Sequence, residues 1–315
     1  MNILRSMLYF PGNSVRMVTK AATLQLDAAI FDLEDAVPVA DKETARIFTH
    51  DFIGLIKRQG IQTVVRVNSL ATGLTFEDLK STVISDLDAV MLAKTETCSN
   101  VVEIGKMLFE VEETSGLNPN TIGLIPLIET AKGVVNSAEI SSASNRVCAI
   151  AFGAGDYYRD LGRDVGSISK DETELLYARS QIVNTSRAVG MQAIDTPFLG
   201  LLTENEGFNR DVDIAVRLGF KGKQCIHPSQ VEQVNRAFSP SKSEIERATR
   251  IAKAYEDAQA AGLGAISFEG RMIDHMNYRQ MKDTIAIAQA IETKEETFSK
   301  QTPKVGIYEI FSSKE

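Results

Sequence analysis

The run Ile122-Gly123-Leu124-Ile125-Pro126-Leu127-Ile128 ends on Glu129, and further on Val147-Cys148-Ala149-Ile150-Ala151-Phe152 ends on Gly153-Ala154-Gly155-Asp156. Each is a short apolar run without polar alternation, closed by glycine or an acid. That pattern fits a strand buried on both faces, as in a parallel sheet. The unit recurs along the chain as Ser6–Phe10, Ala28–Leu33, Thr63–Val67, Asp88–Leu92, Gly123–Ile128, Val147–Phe152, Met191–Asp195 and Gly222–Ile226. Helical patterns lie between, as in Ser14–Leu26, where Val15, Val18, Ala22 and Leu26 share one side, in Val101–Ser115 and in Glu172–Val189. Strand–helix units repeated eight times predict an α/β fold, a TIM (β/α)8 barrel, because right-handed crossovers of that number close neatly. A doubly wound open sheet competes, but it would gather its polar residues at one switch point. Here they follow nearly every strand.

The barrel is expected over residues 1–238. A C-terminal helical extension, 239–294, follows as a lid or oligomer contact. It holds an amphipathic helix at Ser243–Ala261, an irregular stretch containing Glu269–Met276 and a last helix over Tyr278–Lys294. The tail, 295–315, carries weak signals.

Composition bounds the function. The 315 residues are 43% hydrophobic and 24% charged, which is globular and rules out a mostly disordered chain. Lys+Arg 34 against Asp+Glu 42 gives −8, which disfavours nucleic acid or an anionic membrane as a partner. No apolar run approaches a membrane span, and Met1–Gly12 has no signal-peptide core before its Pro-Gly break. Cys98, Cys148 and Cys225 are odd in number and scattered, which points to a reducing, cytoplasmic setting without a disulfide or zinc framework.

In a barrel the chemistry sits where strands end. In order those positions carry Tyr9, Asp32, Glu34 and Asp35, Arg66 and Asn68, Lys94 and Glu96, Glu129, Asp156, Asp195 and His227. Converging carboxylates disfavour one another's ionisation unless a cation joins them. Oxygen donors without clustered Cys or His suit Mg²⁺ or Mn²⁺, with Glu129 and Asp156 as ligands on neighbouring strands. The competing reading makes Glu129 a helix N-terminal acid and Asp156 a loop cap. Arg66, inside an apolar run, is either a fork for a substrate carboxylate or enolate oxygen, or an ion-pair partner of Asp32 or Glu34. Arg16 and Lys20, i,i+4 after Gly12-Asn13-Ser14, are either a phosphate site or solvated charge. There is no P-loop and no dinucleotide fingerprint.

Taken together, Arg5-Ser6…Pro11-Gly12, Phe31-Asp32-Leu33-Glu34-Asp35-Ala36-Val37, Val65-Arg66-Val67-Asn68, Ile128-Glu129-Thr130-Ala131, Phe152-Gly153…Asp156, Ala193–Phe198, Gly222–Gln230 and Gly270–Asp274 stand in order. The chain resembles the citrate lyase β-subunit-like branch of the HpcH/HpaI aldolase superfamily, which includes malyl-CoA and citramalyl-CoA lyases. The resemblance covers about Arg5 to Ala290 and implies roles. Glu129 and Asp156 would ligate Mg²⁺, with Asp32, Glu34 and Asp35 orienting its waters. Arg66 would grip substrate oxygens and stabilise negative charge. Tyr9, Arg16, Lys20, Ile226 and His227 match positions near the coenzyme A of an acyl-CoA substrate. Asp274 matches an acid that reaches into a neighbouring subunit and returns a proton, so the resemblance implies a homo-oligomer, a trimer or a pair of trimers. It implies carbon–carbon cleavage of citramalyl-CoA or malyl-CoA. The rival is a citrate lyase β subunit, acting on a citryl thioester of an acyl carrier protein within a complex. Departures are Leu92-Ala93-Lys94 for Leu-Pro-Lys, Gly155 for a larger residue, and Asp274-His275-Met276 for Asp-x-Pro.

Overall fold

The computed structural model describes residues 3–301. Strands β1 (Ser6–Pro11), β2 (Ala28–Asp32), β3 (Gln62–Val67), β4 (Ala89–Leu92), β5 (Gly123–Ile128), β6 (Ala149–Phe152), β7 (Gln192–Asp195) and β8 (Gly222–Cys225) form a closed parallel barrel in sequence order. Each coincides with its sequence run to within two residues at either end. The open sheet is excluded by the pairing of β8 back onto β1. That closure needs a glycine: a Cβ on Gly222 would lie 1.7 Å from the Leu4 carbonyl oxygen.

Among the described residues nine α-helices lie between the strands: α1 (Val15–Ala21), α2 (Lys42–Lys57), α3 (Thr75–Thr82), α4 (Cys98–Thr114), α5 (Ala131–Val135), α6 (Ser137–Ser142), α7 (Ala154–Asp160), α8 (Leu176–Ala188) and α9 (Asn205–Leu218). The first is shorter than its apolar spacing suggested. After Ala21 the chain leaves through tight turns, Thr23 N–H to Lys20 O and Leu24 N–H to Ala21 O, which bring Leu26 into the core without further helix. Glu172, expected to open a helix, instead has left-handed backbone at φ 51°, and α8 begins at Leu176.

Strand parity sorts the core into two parts. Met7, Ala28, Ile30, Val64, Ala89, Met91, Ile125, Leu127, Ala149, Ala151 and Ile194 form one buried cluster inside the barrel, with Tyr9 against it. The residues between them face the helices in a second, larger cluster. Small and large side chains pair across the interior, as Ala28 does with Met7 in the register of β1 and β2. Two residues beyond Ile30, Val64, Leu127 and Ala151, the same inward parity delivers Asp32, Arg66, Glu129 and Gly153. The site is therefore the next layer of the core, built from polar residues.

Asp195 has the opposite parity. It does not join the barrel mouth as its strand-end position suggested. It faces outward, where Arg179 donates to both its oxygens (3.0 and 2.8 Å) and Lys223 Nζ lies 2.6 Å away. Lys223 also meets Asp211 at 2.7 Å, and Arg179 bonds Asp211 and Glu172. Burial, and then the charge of Asp211, push the Glu172 carboxyl up to about 7 against the pull of Arg179 and Lys223. A carboxyl raised above its ordinary 4.5 stabilises the fold below that value and loses the contribution as pH rises through about 7. The melting temperature of the wild type relative to Glu172→Gln is therefore expected to fall between about pH 5 and 7.5. Parallel melting curves that keep a constant separation would exclude this titration.

After α10 (Val231–Ala237) the extension holds α11 (Lys242–Ala260), a hairpin of β9 (Ile266–Phe268) and β10 (Arg271–Ile273), and α12 (His275–Gln301). The first of these helices is capped by Ser241, whose Oγ accepts the Glu244 N–H while Glu244 accepts the Ser241 N–H. Where an irregular stretch was expected, Glu269 and Gly270 both take positive φ, 51° and 75°, the geometry of a two-residue hairpin turn. Ile251, Tyr255 and Ile273 form its small core, with Ile266, Phe268, Tyr278 and Met281 against it. The last helix starts earlier than expected and runs past Lys294, so the first part of the expected tail is helical. The remainder of that tail lies outside the described residues. Lys294 reaches Asp27 (3.1 Å) and Glu295 reaches Arg5 (3.2 Å), tying the helix to the start of β1 and the loop before β2. Among the described residues no helix is long and apolar enough to cross a membrane.

Candidate active site

Asp32 ends β2 opposite Arg66 in the register of β3. It accepts two parallel hydrogen bonds from Arg66, Nε at 2.7 Å and Nη2 at 2.6 Å, and the backbone N–H groups of Glu34 and Ala36 at 2.9 and 3.0 Å. Of the two readings of Arg66, the ion pair is the one formed here, with Asp32 bidentate and Glu34 Oε2 at 3.0 Å from Nη1. Its guanidinium carbon also lies 5.0 Å from the Tyr9 ring centroid, a cation–π contact. The fork is held rigidly at the mouth, with its side chain still 12% exposed.

Glu129 follows β5 and is buried. Its Oε1 accepts the Lys94 backbone N–H at 2.8 Å, and its other face abuts Gly153, where a Cβ would lie 2.7 Å from both Cβ and Oε2 of the glutamate. The glycine makes the recess that Glu129 occupies. Burial, followed by the charge of Glu34, pushes the Glu129 carboxyl up to about 8, and Arg66 and the Lys94 N–H only partly oppose this. Burial likewise raises Glu34, against the pull of Arg66 and Lys94. Asp156, on the first turn of α7, is bonded by Arg159 at 2.6 Å and lies 4.0 Å from Lys94 Nζ.

Lys94 joins these groups. Its ammonium is 3.1 Å from Glu34 Oε1, and its backbone is in the left-handed region at φ 52°. A lysine rarely adopts that conformation. Here it turns the N–H toward Glu129 and the side chain toward Glu34 and Asp156. Strand-end position marked Lys94 in the sequence without giving it a role. Gly153 and Gln224 were also without one. A glycine after an apolar run and a polar pair, Lys223-Gln224, inside a buried strand are the signals that mark them.

The remaining expected residues divide by place. Tyr9 is in the site, its hydroxyl donating to Gln224 Oε1 at 2.6 Å, and burial raises its pKa far above the usual phenol range. Asp35 is exposed at the rim. Arg16 and Lys20 are exposed on α1 and carry no ion pair among the described residues; Ile226 and His227 are exposed just after β8, on the neighbouring strand. His227 Nδ1 bonds Ser229 Oγ at 2.7 Å and accepts the Ser229 N–H at 3.2 Å, so it caps the turn after β8. Asp274 is not at this mouth. It caps α12, exchanging hydrogen bonds with Asn277 at 2.9 and 3.1 Å.

The donor set fits a hard divalent cation. Among the described residues no three acid, histidine or cysteine side chains stand in a ready-made metal cluster. Two carboxylates with several free positions suit Mg²⁺, which keeps waters and substrate oxygens as ligands. Glu34 Oε2 is buried and paired by charge with Arg66 Nη1 at 3.0 Å but accepts no aligned hydrogen bond, which leaves a lone pair for a bound water.

The family model for HpcH/HpaI aldolase/citrate lyase matches residues 5–228. Citrate lyase subunit beta of Leuconostoc mesenteroides subsp. cremoris is 37% identical over 86% of this chain and 88% of its own length. Human mitochondrial citramalyl-CoA lyase is 32% identical over 92% and 87%. Among solved structures, Mycobacterium tuberculosis CitE in complex with magnesium, acetoacetate and coenzyme A superposes with a TM-score of 0.69 at 29% identity, covering 90% of this chain and 97% of that one.

Proposed function

Because the chain belongs to the HpcH/HpaI aldolase/citrate lyase family and is a carbon–carbon lyase, we propose that it cleaves a 3-hydroxy dicarboxylic acyl-CoA, citramalyl-CoA or malyl-CoA, to acetyl-CoA and pyruvate or glyoxylate. The observation that carries the reading is the recessed Glu129 beside Gly153, facing Glu34, Lys94 and Asp156 across a mouth that Arg66 closes. Mg²⁺ held by Glu129 and Asp156 would supply the Lewis acid that polarises the substrate's hydroxyl and carboxylate oxygens. Glu34, Asp32 and Asp35 would orient its waters. Arg66, fixed by Asp32 and Tyr9, stabilises negative charge as it develops on the thioester side. The hydroxyl would give its proton to a water in the mouth, the bond between the carbinol carbon and the thioester α-carbon would break, and the electron pair would form the acetyl-CoA enolate while the carbinol oxygen becomes the keto oxygen of the acid. Protonation of the α-carbon completes the reaction, with Asp274 of a second copy as donor. That role makes the active form a homo-oligomer. Arg16, Lys20, Ile226 and His227, on the adjoining β1 and β8 sides of the mouth, would meet the coenzyme A.

A second reading is a citrate lyase β subunit acting on an acyl-carrier-protein thioester, and the 37% identity to such subunits favours it. Purified protein alone, given citramalyl-CoA, malyl-CoA and citryl-CoA, separates the two. Acetyl-CoA release from either of the first two, abolished by EDTA and restored by Mg²⁺, is the expected result. Turnover that requires a citryl carrier protein would establish the second reading, and no turnover in any form would overturn both. Asp274→Asn is expected to lower turnover by about 100-fold with little change in KM, and wild-type turnover would remove Asp274 from the reaction.

A further inference from the structure

Gln224 is a fully interior amide whose every polar group is engaged at the floor of the site. Its Nε2 donates to the carbonyls of Phe152 at 2.8 Å and Asp195 at 3.0 Å, and its Oε1 accepts the Tyr9 hydroxyl at 2.6 Å. It is 1% exposed. The ladder between β6 and β7 is in register only as far as Ala151 and Ile194. Phe152 and Asp195 are the next residues along, where the strands part, and the glutamine side chain bridges their carbonyls in place of a further rung.

Each bond of that amide leads to a working part. Phe152 precedes Gly153, the recess for Glu129, and the Gly153 N–H donates to Ile128 O at 2.9 Å, just before Glu129. Asp195 precedes Thr196, whose hydroxyl accepts the Ala154 N–H at 2.9 Å and so fixes the first turn of α7, which carries Asp156. Tyr9 lies beneath the Arg66 guanidinium. We propose that Gln224 is a positioning residue that holds the carboxylate loop Gly153–Asp156 and the Tyr9–Arg66 platform in one fixed relation, without touching substrate. Two donors and one acceptor are required at that point. Glutamate would turn an oxygen toward two carbonyls, and an apolar side chain would leave two buried carbonyls and a hydroxyl unpaired.

The inference rests on the lyase reading for its kinetic consequences but not for its structural ones, so the test uses both. Gln224→Met conserves volume, and Tyr9→Phe breaks the same bond from the other end while keeping the ring under Arg66. Amide hydrogen exchange across 152–160 is expected to quicken at least about 10-fold in Gln224→Met, with distant segments unchanged. Mg²⁺ affinity measured by calorimetry is expected to weaken by about 10-fold, and kcat to fall by about 10- to 100-fold with KM within about 3-fold. Because the two substitutions cut one linkage, the double variant should lose little more than Gln224→Met alone. Unchanged exchange at 152–160 in a folded Gln224→Met protein, or fully multiplicative losses in the double variant, would overturn the proposal. Should Gln224→Met fail to fold, Tyr9→Phe decides it through the same exchange and Mg²⁺ readouts. A wild type that neither binds Mg²⁺ nor cleaves a thioester would sink the lyase reading, while the exchange result would still decide the linkage.

Discussion

Alanine at position 153 is expected to weaken Mg²⁺ binding and turnover by at least about 100-fold while the barrel remains folded. The new methyl would sit 2.7 Å from Cβ and Oε2 of Glu129, closer than carbon atoms approach in proteins. Something must shift. The strand behind Gly153 is fixed by its ladder and the Gly153–Ile128 bond, so Glu129 must give way, its Cβ with a shift of the end of β5 and its carboxylate with it. Displacing it breaks its bond with the Lys94 N–H and moves one of the two proposed ligands. Gly155→Ala is the control, because a Cβ there meets only Leu199 Cδ2 at 3.7 Å, an ordinary contact. Calorimetric titration with Mg²⁺, beside melting curves for both variants, separates a lost ligand from a lost fold. If Gly153→Ala binds Mg²⁺ as the wild type does, Glu129 is not a ligand.

Arg179→Leu should give the largest loss of stability among single changes away from the site, about 3–5 kcal/mol. Among the described residues Arg179 is the largest fully buried side chain, and it bonds three acids, Glu172, Asp195 and Asp211. Without it, Lys223 alone faces them, and Asp195 and Asp211 are almost wholly buried. Removing one partner of a buried ionic group leaves an uncompensated charge, which costs far more than the intact group contributes. On the surface the same chemistry matters little. Arg217 and Asp213, 3.5 Å apart and well exposed, should shift stability by less than about 0.5 kcal/mol when Arg217 becomes Ala. Urea midpoints for the two variants check the contrast, and equal small shifts would show that the buried group relaxes or admits water.

The barrel was legible because each strand is a short apolar run and eight such runs admit few arrangements. The acids were legible because Asp32, Glu34, Glu129 and Asp156 stand at or within four residues of the ends of those runs. Parity was not read, and that is why Asp195 was grouped with them: one residue of register turns a strand-end acid from the mouth to the helix layer. The hairpin at Ile266–Ile273 escaped because three-residue strands show no period, although Glu269-Gly270 is compatible with its turn. Lys94 and Gln224 act through backbone conformation and through carbonyls of distant strands. Their position and polarity mark them in the sequence, but the roles do not show in residue type alone. Arg66 showed its charge in the sequence but not its partner, since the choice between Asp32 and a substrate depends on distances.

The pairing of β8 with β1 has a consequence for how the molecule is made. The first and last strands of the barrel meet across most of the chain, and Tyr9 and Gln224 are 215 positions apart. During synthesis the edge of β1 stays unpaired until the segment beginning at Gly222 emerges, and an unpaired strand edge readily adds a foreign strand. Pairings so distant in sequence also form slowly. The acids of β2 and β5 can gather early on a growing, open sheet, but Arg66 gains its complete platform only with the last staves. Catalytic competence is then a property of the finished ring, and the nascent chain is most exposed to misassembly in the interval before closure.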